Sequence, residues 1–147
     1  MPSTNANTVL YATRLARRVR KTIASATAAN TYNLVATADA THGSLLTDLL
    51  FRSADAVARV FDIIICPTGS ETTAENWDVA ISVPANSGNN GTTAKASFSA
   101  LAPAEFDIDL AGNRVINLEV GQSIYVKNLT LTAGAIYVTA KLRDFTP

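Results

Sequence analysis

Cysteine and histidine are nearly missing from this sequence, which contains one of each, Cys66 and His42. A single cysteine excludes an intramolecular disulfide and any CxxC-type metal cluster. A single histidine restricts a catalytic triad to His42, whose neighbours Gly43 and Ser44 form no known motif. The phosphate-binding patterns GxxxxGK[ST] and GxGxxG and the hydrolase pattern GxSxG are also absent. We therefore expect no enzymatic activity, no cofactor and no metal site.

Long apolar runs and an excess of one charge are lacking as well. No run approaches the roughly 18 apolar residues of a membrane span, and the first residues lack the apolar block of a secretory signal. Basic and acidic residues balance at 12 each, so no overall field favours a polyanionic partner. We expect synthesis in the cytoplasm and neither a membrane nor a nucleic acid as a partner.

The charge balance conceals an asymmetry along the chain. Residues 1–30 contain five cations and no acid, and the rest of the chain contains seven cations and twelve acids. Asymmetry of this kind is typical of a terminal interaction segment. We expect a basic N-terminal arm over residues 1–25, followed by a single domain over residues 26–147. The predicted partner-binding residues are the cations of the arm: Arg14, Arg17, Arg18, Arg20 and Lys21.

The conformation of this arm stays open in the sequence. Val9, Leu15, Val19 and Ile23 fall on one side of a helical wheel and the cations on the other, which is typical of a short amphipathic helix. An isolated helix of this length is marginal in water. An extended arm or a first strand that presents its cations to a neighbouring acidic surface fits the same residues.

The remaining sequence has the two-residue period of β-strands. We predict strands at 31–38, 44–51, 57–65, 77–83, 94–100, 106–110, 116–120, 124–129 and 136–142, with Gly112–Asn113 as a hairpin turn. A helix over 45–60 is the alternative for one apolar stretch, because period does not separate short strands from helices. Many short, evenly spaced strands predict an all-β fold, an antiparallel, jelly-roll-like β-sandwich.

Other polar and aromatic groups offer weaker candidates for a site. Asp39, His42 and Asp48 supply three metal-ligand types without a recognised spacing, and Glu105, Asp107 and Asp109 place three carboxylates on one face of a predicted strand. The polar loop Asn86–Gly91 can be a recognition tip or a solvated connector. A carbohydrate groove would need exposed aromatics, for which Trp77, Tyr125 and Tyr137 are available; we expect Tyr125 and Tyr137 to be cross-strand partners at a subunit interface instead.

Three stretches carry a family resemblance: Val60–Gly69 (VFDIIICPTG), Val83–Asn86 (VPAN) and the closing pair of strands within Ser123–Phe145. Together they resemble minor structural proteins of tailed bacteriophages, in particular small jelly-roll capsid decoration, or cement, proteins. The resemblance covers roughly residues 44–145 and rests on strand and turn pattern.

The resemblance implies a homo-oligomer, often a homotrimer, on the exterior of the virion. Its partner would be the major capsid protein, whose neighbouring copies it would lock together, and no catalytic residue would be carried over. A phage tail, baseplate or fibre-tip module that binds a receptor or glycan is the alternative function, since such modules also use small β-sandwiches.

Overall fold

The computed structural model describes residues 14–145, which form two packed antiparallel β-sheets. The elements are β1 (Arg14–Ile23), β2 (Thr31–Thr37), β3 (Ser44–Ser53), β4 (Arg59–Pro67), β5 (Trp77–Val83), β6 (Ala96–Ser97), α1 (Phe98–Leu101), a 3-10 turn (Pro103–Glu105), β7 (Asp107–Ile108), β8 (Arg114–Leu118), β9 (Gln122–Asn128) and β10 (Ile136–Phe145). None of the helices within 14–145 is long and apolar enough to cross a membrane. The predicted all-β sandwich is confirmed.

The strands alternate between the sheets along the chain. Sheet A has the order β1-β10-β3-β8-β7, with β6 paired to β3, and sheet B has the order β2-β9-β4-β5. Successive long strands therefore pass from one sheet to the other at most connections, which is the winding of a jelly roll. This topology makes β1 and β2 edge strands, one in each sheet.

The core lies between the two sheets and is built by alternating residues. In β10, Ile136, Val138, Ala140 and Leu142 are buried, while Tyr137 and Thr139 point away from the core. Phe51 of β3 stacks on Phe61 of β4 across the sheets, with ring centroids 5.8 Å apart. One apolar layer thus joins the two sheets and fixes which side chains reach the outside.

The helix interpretation of the N-terminal arm is wrong for residues 14–23. These residues form β1, which pairs with β10 along its whole length from Arg14–Phe145 to Ile23–Ile136. The apolar positions Leu15, Val19 and Ile23 are four residues apart, a spacing that fits a period of two as well as a helical turn. The first-strand alternative is correct for this segment, and residues 1–13 lie outside the described part of the chain.

The stretch 45–60 forms strands, as predicted, rather than a helix. It contains β3 and the start of β4, joined by residues 54–58. Asp55 in this connection is buried and accepts hydrogen bonds from the backbone N–H groups of Val57, Ala133 and Gly134. The loop is therefore held against the turn that precedes β10.

The predicted strands at 94–100 and 106–110 are largely absent. The stretch 94–100 forms only β6 before α1, because Ser97 Oγ and the backbone N–H of Ser99 donate to the carboxylate of Asp48 and turn the chain. The turn inserts Phe98 fully into the core, where it packs edge-on against Phe106 with centroids 5.0 Å apart. Of the four apolar positions in the predicted alternation, Ala96 and Phe98 are buried, and Ala94 and Ala100 are exposed.

The predicted hairpin around Gly112–Asn113 exists but is short. Only Asp107 and Ile108 of β7 pair with β8. Leu110, expected to be inward-facing, is fully exposed, and Ile108 is 63% exposed. β7 lies at the end of sheet A, and the buried cluster of the sandwich does not include these two side chains.

Candidate functional site

The outer face of sheet A is basic. Residues that pair directly across strands share one face, and the register gives the outward rows Thr22–Tyr137–Arg52, Arg20–Thr139–Leu50 and Arg18–Lys141–Asp48. Arg143 follows two residues after Lys141 on the same face. We call Arg18, Arg20, Arg52, Lys141 and Arg143 the basic face. It draws its cations from β1, β3 and β10, which are far apart in the sequence.

A shallow hollow lies at one end of this face. Arg20, Arg52 and Lys95 line it together with Leu50, Tyr137 and Thr139. The guanidinium carbon of Arg52 lies 5.5 Å from the centre of the Tyr137 ring, and its Nη2 donates to Asn89 Oδ1 at 3.1 Å. Both contacts leave the charge of Arg52 in place, because the ring and the amide carry none. We call this feature the basic hollow.

Asp48 is the acidic side chain in these outward rows, and its oxygens are already occupied. Its Oδ2 accepts from Ser97 Oγ at 2.7 Å, and its Oδ1 accepts from the backbone N–H groups of Ser99 and Leu49. A carboxylate used in this way holds the chain around α1. These donors are neutral, so Asp48 keeps its charge opposite Lys141, and the face still has more cations than carboxylates.

The five predicted partner-binding cations do not share one surface. Arg18 and Arg20 point outward with the basic face, whereas Arg17 and Lys21 lie opposite Leu142 and Val138, residues of the core side. Arg14 begins β1 opposite Phe145. A β-strand divides alternate residues between its two faces, so the cations that a helical wheel grouped together are separated.

Arg17 is bound within the molecule. Its Nε donates to Asp144 Oδ2 at 2.7 Å and its Nη2 donates to Asp144 Oδ1 at 3.0 Å and to the carbonyl oxygen of Thr37 at 2.8 Å. Ser44 Oγ donates to the same carboxylate at 2.6 Å. Arg17 therefore links the edge strands β1 and β2, which are in different sheets.

A second charged feature lies on the outer face of sheet B. Asp62, Glu71 and Asp78 line a polar hollow with Tyr32, Ile64 and Lys127, beneath the loop that contains residues 71–76. Burial raises the pKa of Asp62 and the nearby negative charge of Asp78 raises it further, against the opposing effect of Lys127. We call this feature the acidic hollow, and it faces away from the basic face across the sandwich.

The aromatic candidates do not form a groove. Trp77 packs edge-on against the buried Phe98, Tyr125 is buried on sheet B with its hydroxyl accepting from the N–H of Gly69 at 2.9 Å, and Tyr137 lies on sheet A beneath Arg52. The expectation that Tyr125 and Tyr137 are cross-strand partners is wrong, because β9 and β10 belong to different sheets.

The candidate metal ligands are dispersed. Asp39 and His42 share a turn in which Asp39 Oδ1 accepts from the backbone N–H groups of Thr41 and His42, bonds that lower the pKa of Asp39. Asp48 instead accepts hydrogen bonds from Ser97 and Ser99 at α1. Glu105, Asp107 and Asp109 occupy a 3-10 turn, β7 and the following turn, so the expected row of carboxylates on one strand is wrong. Within 14–145, no three His, Cys, Asp or Glu side chains are placed to hold a metal ion.

Comparison with known proteins gives weak structural likeness and no match in sequence. No protein-family model and no curated protein matches the sequence. Among solved structures, a chain from "Cyanophage Pam1 capsid asymmetric unit" matches over 98% of this chain and 99% of that chain, with 13% sequence identity and a TM-score of 0.47. A likeness of this degree assigns neither a partner nor an activity to this chain.

Some residues of the site were missed in the sequence, and some of them had a signal. Lys141 and Arg143 alternate with the inward Ala140 and Leu142 of a correctly predicted strand, so their outward position followed from the pattern. Arg52 and Lys95 carry no such signal. Their place beside Arg20 depends on the pairing of β10 with both β1 and β3.

Proposed function

We propose that this chain is a structural protein of a bacteriophage virion, a capsid decoration (cement) protein that binds the outer capsid surface as an oligomer and stabilises the shell. The observation that carries the proposal is the basic face, on which five cations of three strands surround one acid whose oxygens are already hydrogen-bonded. A flat surface of this kind suits an extended acidic protein surface better than a small ligand.

The family resemblance supports the same function. Val60–Gly69 covers most of β4 and its following turn, Val83–Asn86 forms the turn after β5, and Ser123–Phe145 contains most of β9 and all of β10. These segments build the centres of both sheets, and β10 carries Lys141 and Arg143 of the basic face. The partner in this proposal is the major capsid protein, and the location is the virion exterior.

Cement action needs contacts spread over several neighbours. Individual exposed ion pairs contribute only about 0–1 kcal/mol, so one such contact does not hold a protein on a shell. Several contacts made by one rigid body, repeated in each copy of an oligomer, add through high effective concentration. A homotrimer, as the resemblance implies, would supply three such bodies.

The arm cations give the proposal its test. Shells lacking the protein, from the phage that carries this sequence, are mixed with wild type, with Arg18→Ala/Arg20→Ala and with Lys127→Ala, and bound protein is measured by co-sedimentation. Loss of both outward arginines should weaken binding roughly tenfold or more and reduce its salt dependence. Lys127→Ala, on the opposite sheet, is the matched control: it also removes one cation but leaves the basic face intact, so it should bind no more weakly than wild type. Unchanged binding by the double variant would refute the role of the basic face.

Arg14, Arg17 and Lys21 complete the predicted set of partner-binding cations. Arg17→Ala breaks the link to Asp144 and Thr37, so it is expected to lower the melting temperature of the protein as well. Arg14→Ala/Lys21→Ala leaves this link intact and isolates the contribution of the other two cations to shell binding. A set of five alanines that left capsid occupancy unchanged would overturn the assignment.

A tail, baseplate or fibre-tip module is the second candidate, favoured by the loop Asn86–Gly91. This loop is anchored at the rim of the basic face, where Asn89 accepts from Arg52 and Ser87 is buried. Copy number per particle separates the two functions. Quantitative mass spectrometry of purified virions should find hundreds of copies of a decoration protein and a handful of a tail module.

A further inference from the structure

The acidic hollow contains more carboxylates than cations. Glu71 has one carboxylate oxygen, Oε2, that is buried without a hydrogen-bond partner. Lys127, the basic side chain that lines this hollow, lies opposite Asp62 and within 5.3 Å of the centre of the Tyr32 ring. Three carboxylates therefore face one ammonium group, and Glu75 adds a further acid in the exposed part of the same loop.

The basic hollow has the opposite imbalance. Among residues 14–145, Arg17 and Arg59 form ion pairs and His42 lies 3.8 Å from Asp39, and none of these contacts involves Arg20, Arg52 or Lys95. No acidic residue is among those that line the basic hollow. One molecule thus carries an unneutralised basic depression on sheet A and an unneutralised acidic depression on sheet B.

We propose that the basic hollow of one copy binds the acidic hollow of a second copy of this chain. The occupant is a second copy because the same chain supplies both complementary surfaces, with Arg20, Arg52 and Lys95 set against Asp62, Glu71 and Asp78. This inference rests on the proposed function, in which the protein is an oligomer. It names the two surfaces through which the copies of that oligomer would bind each other.

The position of the hollows determines the kind of assembly. They lie on the outer faces of the two sheets and point in opposite directions, so the contact joins unlike surfaces. A contact between unlike surfaces is head-to-tail, and it closes into a ring when the rotation between copies permits or continues as a chain otherwise. An open assembly then keeps one free half-site at each of its two ends until it closes.

Charge reversal on one side at a time tests the inference. Variant X is Arg52→Glu/Lys95→Glu, and variant Y is Glu75→Lys/Asp78→Lys; all four side chains belong to exposed residues. Light scattering measures the solution mass at about 0.1 M and about 1 M salt, where the Debye length is ~10 Å and ~3 Å. Wild type should be oligomeric at the lower salt and dissociate at the higher. X alone and Y alone should be monomers, since each then opposes like charges.

The mixture of X and Y distinguishes this contact from any other. X keeps the native acidic hollow and Y keeps the native basic hollow, so an equimolar mixture should regain an assembly that contains both variants. Wild type that is monomeric at both salts would overturn the inference. So would an oligomer that persists in X and Y alone. Circular dichroism of each variant confirms that it is folded.

Shell binding separates this result from the proposed function. Y retains all five cations of the basic face and should still co-sediment with shells, about tenfold more weakly because only single copies bind. Loss of self-association with shell contact retained supports both proposals. Normal self-association of wild type without any shell contact supports the inference and contradicts the capsid function.

Discussion

The carboxylate of Asp55 should make the stability of the sandwich depend on pH in the acid range. The side chain is fully buried and accepts from Arg59 Nε at 2.7 Å, from the N–H of Val57 at 3.0 Å and from the N–H groups of Ala133 and Gly134 at 2.8 and 3.3 Å. Burial raises the pKa of Asp55, but these bonds, with Arg59 foremost, outweigh it and lower the pKa from 3.8 to about 2.

A lowered pKa in the folded state means that the stabilisation is present above the ordinary value and lost as the pH falls. The difference corresponds to about 2 kcal/mol of folding free energy, present above roughly pH 4 and lost towards roughly pH 2. The bound carboxylate also connects the loop after β3 to the turn before β10. Its removal should therefore affect global unfolding.

Asp55→Asn tests this reasoning. It keeps the shape of the side chain but removes the charge and turns one acceptor into a donor, facing N–H groups that then have no partner. We expect a loss of about 3–5 kcal/mol at pH 7, the range for breaking a buried ion pair. Urea unfolding from pH 7 down to pH 3 measures the free energy of unfolding, and the difference from wild type should narrow towards the acid end.

The matched control is Asp107→Asn, which changes an exposed carboxylate of β7. It should alter stability by no more than about 0.5 kcal/mol. A difference between wild type and Asp55→Asn that is below about 1 kcal/mol, or that stays constant from pH 7 to pH 3, would refute the assignment of a buried, ionised Asp55.

Three further predictions concern stability and are measured by urea or thermal unfolding. Leu49→Ala removes a fully buried side chain and should cost about 2–5 kcal/mol, whereas Leu110→Ala, at an exposed position, should leave the urea midpoint within error; equal effects would contradict the core assignment. Gly134→Ala should cost about 1–3 kcal/mol, because the added Cβ would lie 2.5 Å from the backbone carbonyl group of Ala54; a neutral result would mean that the two segments do not approach so closely. Asp62→Asn should increase the free energy of unfolding at pH 7 by up to about 0.5 kcal/mol and raise the melting temperature accordingly. The reason is that the pKa of Asp62 is raised in the folded state, so ionisation of this carboxyl opposes folding at that pH. The gain should fade below roughly pH 4, where the wild-type carboxyl is neutral in both states, and a loss of stability at pH 7 would contradict it.

Most of the fold could be predicted because, in the long strands, apolar and polar side chains alternate every second residue, as the inner and outer faces of the sheets require. β10 is an example, since its buried residues from Ile136 to Leu142 alternate with partly exposed ones, and it is an inner strand of sheet A. The prediction failed where the chain leaves the sheet. Phe98 enters the core from the single turn of α1, which Asp48 holds by two hydrogen bonds. Asp48 lies 49 positions before one donor, Ser97, and 51 positions before the other, Ser99, so no local sequence pattern reveals these contacts.

The candidate site was only partly predictable. The charge asymmetry of the first 30 residues pointed to Arg18 and Arg20, which lie on the basic face. The same signal included Arg17, which is bound to Asp144 across 127 positions of sequence. The acidic hollow combines Asp62 of β4, Asp78 of β5 and Glu71 of the loop between these strands. Strand pairing brings these residues together, so no single stretch of the sequence predicted the hollow.

Binding to the capsid shell is the most direct measure of the proposed function. If the proposed function is right, capsid shells that lack this protein can be titrated with purified wild type, and the bound copies and the melting temperature of the shell are recorded. A decoration protein should saturate the shells at a fixed stoichiometry of hundreds of copies and raise their melting temperature. Protein that stays in the supernatant, or that binds without changing the stability of the shell, would contradict the account.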